Sequence, residues 1–550
     1  MEAAIVDMDS KTSGTDALTA REAEERYRAL RAEHRLAARE AEVAELRSRT
    51  AEKDMTVADT IGTGGAPANT TASAVSAAAT AAKVPTHIIA EPATARLVAR
   101  RTARERITSN GTIAAAAMVI AAIAAIVVAN SPAYETVRAV IEQPVGIVLG
   151  PLTLSLSFED FVNDFLMAIF FLLVGIELKY EMTVGQLRVP RQAALPILAA
   201  VGGVMGPCII YALINIGGTS AGGWAIPMAT DIAFALGVMS LLGDHVAPAT
   251  KVFFSTLAIA DDVLAIIVLA LFYGQSPSVP WVLASVACTA VLFGLNHARV
   301  YKARAYLVVG LVLWACMLNS GIHATLAGVI LAFALPVQSD LHLGNLRRWL
   351  SERAHEMDDA YDDEMHILGQ HQVTEGAARV ERVMHHVTPP LQRVERAISV
   401  PVNFVILPIF AFVNAQVCLA GVDLGGLLAD PVTRGVYLGA FLGKPIGIIG
   451  MTAVLVAVGF AKLPKGVDWK QIVGVGLMGG MGFTMSILIS GLAFTDPEEI
   501  LAAKCAILAG TITSAVVGCV YILVACHRRG TAVTKVEDGS GPSPAAPEKH

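Results

Sequence analysis

The sequence predicts an all-α polytopic membrane protein with about twelve transmembrane helices, and three observations carry that prediction. Hydrophobic residues make up 54% of the 550-residue chain, and a mean hydropathy of +0.58 is far above that of a soluble chain of this size. Apolar stretches long enough to cross a ~30 Å hydrocarbon core recur between Thr112 and Cys526. Lysine and arginine gather in alternate connections, as they do in short cytoplasmic loops.

Taken in order, residues 1–110 form a polar cytoplasmic extension. Thr19 and Glu22 make a capping-box pattern ahead of a run rich in Ala, Glu, Arg and Leu that reaches Arg49, which predicts a solvated helix. Leu36 and Val43 are one heptad apart, but Arg39 and Glu40 thin the stripe, so an isolated helix is favoured over a coiled-coil partner. Met55 to Lys83, dominated by Ala, Thr, Gly and Ser, reads as a flexible linker. Arg96, Arg100, Arg101, Arg104 and Arg106 then precede the first apolar run and hold the N-terminus on the cytoplasmic side. That run begins too late for a cleaved signal peptide.

The membrane domain, 111–527, divides into spans near 112–130, 161–178, 195–216, 224–242, 251–273, 280–297, 305–319, 322–336, 399–417, 434–458, 471–493 and 503–526. Lys179, Arg188 and Arg191, then Lys251, then Arg299, Lys302 and Arg304, then Arg347, Arg348 and Arg353, then Lys462, Lys465 and Lys470, and finally Arg528 and Arg529 all fall on the cytoplasmic side. The opposite loops, such as YGQSPSVP from Tyr273, are almost free of them. Both termini are therefore expected inside, with 528–550 a disordered tail. A Gly-Pro break between two β-prone stretches in GIVLGPLTLSLS, Gly146 to Ser157, predicts a small external β-hairpin. The cytoplasmic loop 338–392 is acidic and His-rich, with DDAYDDEMH from Asp358. It is expected to be a solvated, partly disordered linker rather than a metal site. The seven cysteines have no CxxC or His-paired spacing and read as small packing residues. The net charge of -6 is segregated into tails and one loop and gives nucleic-acid binding no support.

The chemistry lies in polar groups that lipid should exclude. Asp261 and Asp262 are adjacent inside KVFFSTLAIADDVLAIIVLALFY, Lys251 to Tyr273. One carboxylate at mid-bilayer costs about 2.5–3.5 kcal/mol on insertion scales, so two together point to ion or proton handling. Asp231, Lys444 and Asp164 are further ionisable residues within or at the entrance of spans. Pro227 removes a backbone donor ahead of Thr230 and Asp231 in AIPMATDIAFALGV, so the fourth span is expected to unwind there. Gly479, Gly480 and Gly482 in GLMGGMGFTMS weaken the eleventh span in the same way. Two interrupted helices in separate halves point to an inverted repeat with its binding site at the midplane. Asp231 would neutralise the positive helix ends and Lys444 the negative ones, and a purely structural role for both stays open. His323 in SGIHATLAG reads by itself as a satisfied helix-contact histidine rather than a proton relay.

At these residues the sequence resembles the NhaA family of bacterial sodium/proton antiporters. The matching strings are NDFLMAIFFLLVGIELK from Asn163, GWAIPMATDIAFALGV from Gly223, LAIADD from Leu257, SGIHATLAGVI from Ser320, ILPIFAFVNA from Ile406, LGKPIGI from Leu442 and GMGFTMSI from Gly480. The resemblance implies two bundles around crossed, broken fourth and eleventh spans, and a homodimer joined partly through the external hairpin. It implies a bacterial inner-membrane carrier, not an enzyme and without cofactor, that exchanges Na+ or Li+ for H+ electrogenically and is activated at alkaline pH. Carried over by position, Asp262 is the main Na+ ligand and Asp261 its partner, paired with Lys444. Thr230 and Asp231 mark the break. Asp164 and Glu177 shape a cytoplasmic funnel, to which, or to the pH response, Glu181, Glu395 and His323 are also assigned. The chain departs from the family pattern at VERAISV, where Glu395 precedes Arg396 and Ser399, and at Tyr180, where a basic residue is usual.

The residues suggest that protons and an alkali cation compete for the aspartates, because desolvation and mutual repulsion disfavour two bare negative charges. Oxygen ligands from Asp262, Thr230 and backbone carbonyls suit a hard monovalent ion. Three rival readings stand beside this one. A sodium-coupled organic-solute symporter would need a larger cavity. An intramembrane aspartyl protease would use Asp231 and Asp261, but the Gly-x-Gly-Asp pattern is missing and Gly243-Asp244 occurs as LLGD. A transporter-like sensor would place its distinctive part in the N-terminal helix.

Overall fold

The computed structural model describes residues 111–526, except 150–151, 189, 275–276, 339–342, 363–364, 419–422 and 465. The expected N-terminal helix, linker and basic cluster, and the tail 528–550, lie outside the described residues.

Eight described helices are long and apolar enough to cross a membrane: Gly111–Ala129, Phe158–Thr183, Ala193–Ile214, Pro248–Phe272, Val279–His297, Pro390–Asn414, Pro431–Ala457 and Pro497–Ala525. Two more spans are bent pairs, Ser220–Met228 with Ile232–Leu241 at 42° and Trp469–Gly479 with Phe483–Ala493 at 41°. The helices Ala303–Leu318 and Leu326–Ala334 bring the segments to the twelve that hydropathy predicts. At 1.5 Å per residue the latter covers only about 14 Å and does not cross the core by itself.

Local sequence explains where several spans begin. Asp430-Pro431 and Asp496-Pro497 put proline in the first turn, where its missing N–H costs nothing. The preceding aspartate caps that turn: Asp430 Oδ1 accepts from Val432 N at 2.8 Å and Asp496 Oδ1 from Glu498 N at 3.1 Å. The helix Leu326–Ala334 is closed from a distance. Lys179 Nζ donates to Phe333 O at 2.6 Å and Leu335 O at 2.5 Å, carbonyls that a helix end leaves without partners. Lys179→Met is expected to cost about 1–3 kcal/mol, read as a lower unfolding temperature of the purified protein.

The hairpin forms from strands Pro144–Leu149 and Leu152–Ser157, antiparallel from Pro144↔Ser157 to Leu149↔Leu152. A helix, Tyr134–Glu142, precedes it; its nine residues are too short to stand out in a hydropathy reading. The acidic loop corrects an expectation. The loop is largely exposed but is no structureless linker: it contains two helices packed on each other, Leu343–Ala360 and His371–Val387, and the ninth span begins at Pro390 rather than near 399. Gly376 of one helix lies against Met357 of the other. Gln370 is buried in the turn and donates to Asp362 O and Met365 O, both at 2.6 Å. Acidic composition masked an amphipathic period, and composition alone cannot report a face. No cluster of metal-ligating side chains occurs among the described residues.

One packing contact positions the site. The third and tenth spans cross at Gly202 and Gly447, where a Cβ on either would strike the other's backbone carbonyl. This close approach carries Lys444, one turn earlier, into the centre of the bundle.

Candidate functional site

The fourth and eleventh spans touch at their breaks. Between Met228 and Ile232, and between Gly479 and Phe483, the chain leaves the helix and its freed groups find partners across the crossing. Asp231 N donates to Met481 O at 2.6 Å and Thr230 Oγ1 to Gly479 O at 3.0 Å. Gly482 permits the approach, since a Cβ there would lie 2.5 Å from Ala229 O. The eleventh-span glycines thus sit where two backbones meet.

Asp231 closes two helix starts at once. Its Oδ1 accepts from Phe234 N at 3.0 Å, and its Oδ2 from Thr484 Oγ1 at 2.8 Å and Thr484 N at 3.3 Å. Each start carries roughly half a positive charge, so two starts balance one carboxylate. Asp231 is buried, 3% exposed, and its charge is accounted for.

Asp261 is balanced differently. Lys444 Nζ donates to Asp261 Oδ2 at 2.5 Å and to Thr230 Oγ1, with both charged side chains at 1% exposure or less. The wide helical turn Gly439–Gly443 directly precedes Lys444, a distortion that often accompanies functional side chains. Lys444 was expected either to neutralise the negative helix ends or, by the resemblance, to pair with Asp261, and it does not do the first. Instead its charge goes to a carboxylate, and Thr230 meets the carbonyl end at Gly479; an ammonium gains more from a full opposite charge than from a fractional one.

Asp262 is left over. It is 2% exposed, and its Oδ1, like Asp261 Oδ1, has no hydrogen-bond partner among the described residues. A buried carboxylate with neither a lysine nor a helix start against it requires a neutralising occupant. A carboxylate oxygen suits a proton or a hard cation.

A sequence profile described as Na+/H+ antiporter 1 matches residues 105–522, well over half of the chain. The chain belongs to the Na+/H+ antiporter 1 family. Proteins named Na(+)/H(+) antiporter NhaA resemble it over most of their length. The one from Oleidesulfovibrio alaskensis is 41% identical over 413 residues, 75% of this chain and 91% of its own. That from Rhodospirillum rubrum is 42% identical over 421 residues, 76% and 95%. That from Wolinella succinogenes is 38% identical over 409 residues, 74% and 89%. Membership makes the protein a multi-pass membrane transporter.

Within this Na+/H+ antiporter 1 family member, the remaining expected residues separate into two groups. Glu177 lies close enough to Glu395 and Glu181 for mutual repulsion, at the end of the second span that also holds Lys179. Asp164 does not join them. It lies in the wide first turns, Phe161–Leu166, thirteen residues or about 20 Å from Glu177, and lines a cavity at the opposite end together with His323. Asp164 and His323, expected at the cytoplasmic funnel or in the pH response, thus line a cavity that does not include Glu177. His323 Nε2 is 2.8 Å from Tyr273 O, a satisfied contact. Two residues of that cavity, Glu159 and Lys504, escaped the sequence reading. Lys504 falls inside the twelfth span, and the rule that singled out Lys444 would have found it.

Proposed function

We propose that the protein exports Na+ or Li+ in exchange for H+ across the bacterial inner membrane, electrogenically and with alkaline activation. The single observation that carries this reading is the contrast among three buried aspartates: Asp231 is neutralised by helix starts and Asp261 by Lys444, while Asp262 has neither. At Asp262 a proton and an alkali cation do the same electrostatic work, so the two exclude each other. At low cytoplasmic pH the proton holds the site. As pH rises the carboxylate ionises, takes the cation and moves it, with Asp261 Oδ1, Thr230 and the carbonyls at the breaks as further ligands.

Asp261 and Lys444 supply a second exchangeable proton. With two protons entering per sodium leaving, one net charge moves inward, worth about 2.3 kcal/mol per 100 mV, and the membrane potential drives export. The arginines from Arg96 to Arg106 support cytoplasmic termini. The hairpin, whose two strands each keep an outer edge, supports a homodimer by strand addition. A protease has less to work with, since Asp231 is held by two helix starts and Asp261 by a lysine.

Proteoliposomes test the reading. The apparent KM for Na+ should fall about tenfold per pH unit while protons compete for one site, and a voltage clamp should alter the rate. A KM independent of pH across the active range would refute competition.

A further inference from the structure

At the end of the bundle opposite Glu177, external in the charge-based topology, a cavity of about 400 Å³ opens among the second, ninth, eleventh and twelfth spans and the connection 318–325. Its wall carries Glu159, Asp160, Asp164, His323 and Lys504. These groups do not all face the cavity on equal terms. Asp160 Oδ2 accepts from Ser157 Oγ at 2.7 Å and closes the capping box that starts the second span. His323 is committed to Tyr273 O. Asn414 Nδ2 donates to Asn163 Oδ1 at 2.8 Å and ties the ninth span to the second at the cavity wall. Glu159, Asp164 and Lys504 remain as the charges that face the space.

Lys504 is the unusual member. It stands seven residues into a helix that begins at Pro497, about 10 Å below its start, and lies half-buried in the cavity wall. Glu159 attracts its ammonium and Arg138 repels it, while Glu142, Asp160 and Arg138 act in turn on Glu159. A narrow cleft lined by carboxylates alone concentrates cations, because low-dielectric walls focus the field. A carrier that must release Na+ on this side is hindered by such a cleft, since the ion lingers and the bulk ion competes for re-entry.

We propose that Lys504 is the fixed counter-charge of this vestibule and sets how weakly its outer face holds Na+, a positioning residue for release that touches neither Asp261 nor Asp262. The inference rests on the antiport reading and adds a face-specific determinant to it. Lys504 offsets Glu159, leaving Asp164 to attract a departing cation without retaining it.

The test uses full-length protein inserted in one orientation in proteoliposomes, with Na+ affinity measured separately from each face. Lys504→Gln should tighten apparent Na+ affinity at the outer face by about five- to tenfold and leave the cytoplasmic KM unchanged, and Lys504→Arg should restore the wild-type value. Equal changes at both faces, or no change at the outer face, would overturn the proposal, because a merely structural lysine has no sidedness. If Lys504→Gln does not fold, Glu159→Gln decides: weaker outer-face affinity supports the role and unchanged affinity overturns it. Wild-type protein that exchanges no Na+ for H+ sinks the antiport reading itself, whereas normal wild-type exchange with a Lys504→Gln variant lacking sidedness sinks only this proposal.

Discussion

Asp262→Asn abolishes Na+-driven proton release while the protein stays folded. The amide has nearly the shape of the carboxylic acid but cannot ionise, so it removes the exchangeable charge and little else. Asp262 Oδ1 has no hydrogen-bond partner among the described residues to lose, and the substitution takes away a buried carboxylate that no lysine or helix start balances. Unfolding temperature in detergent should therefore be equal to or above that of the wild type. Exchange, followed as collapse of a preset pH gradient when Na+ or Li+ is added, should fall to the level of empty vesicles. Wild-type exchange in this variant would remove Asp262 from the mechanism.

Lys444→Met has the opposite signature, with stability failing first. Lys444 is fully buried, and its ammonium bonds Asp261 and Thr230. Removing it leaves Asp261 as an unpaired charge in the core, a change that typically costs 3–5 kcal/mol, about that much being expected here. The second substitution Asp261→Asn should recover most of the loss, because it removes the orphaned charge, and Asp261→Asn alone should also be destabilised. Thermal unfolding of the four proteins forms a double-mutant cycle. A double variant no more stable than Lys444→Met would mean that the pair is not what holds the lysine in place.

Much of this site was legible in the chain. Asp261 and Asp262 stood out because a charge in hydrocarbon is costly wherever it occurs, and Pro227 and the glycines from Gly479 to Gly482 announced breaks by backbone chemistry that needs no tertiary context. The Gly-Pro pair at 150–151 marked the hairpin for the same reason. Counting would have gone further: thirteen residues of helix place Asp164 about 20 Å from Glu177, and Lys504 was visible by the rule applied to Lys444. The helices Leu343–Ala360 and His371–Val387 were harder to see. They meet at Gly376 and Met357, a pairing that an acidic composition does not report.

The many-helix membrane architecture, the two breaks and the presence of a buried acidic centre were determined by the sequence alone, since hydropathy and backbone propensity act over one helix length. Which buried aspartate has neither a lysine nor a helix start against it is seen only in the tertiary structure. Asp231, Asp261 and Asp262 share one side chain and one degree of burial. They differ in what distant segments bring to them: Thr484, 253 residues away, caps Asp231, and Lys444, 183 residues away, pairs with Asp261. Electrostatic balance at a buried group depends on its neighbours in space, and those are set by how the two broken spans cross.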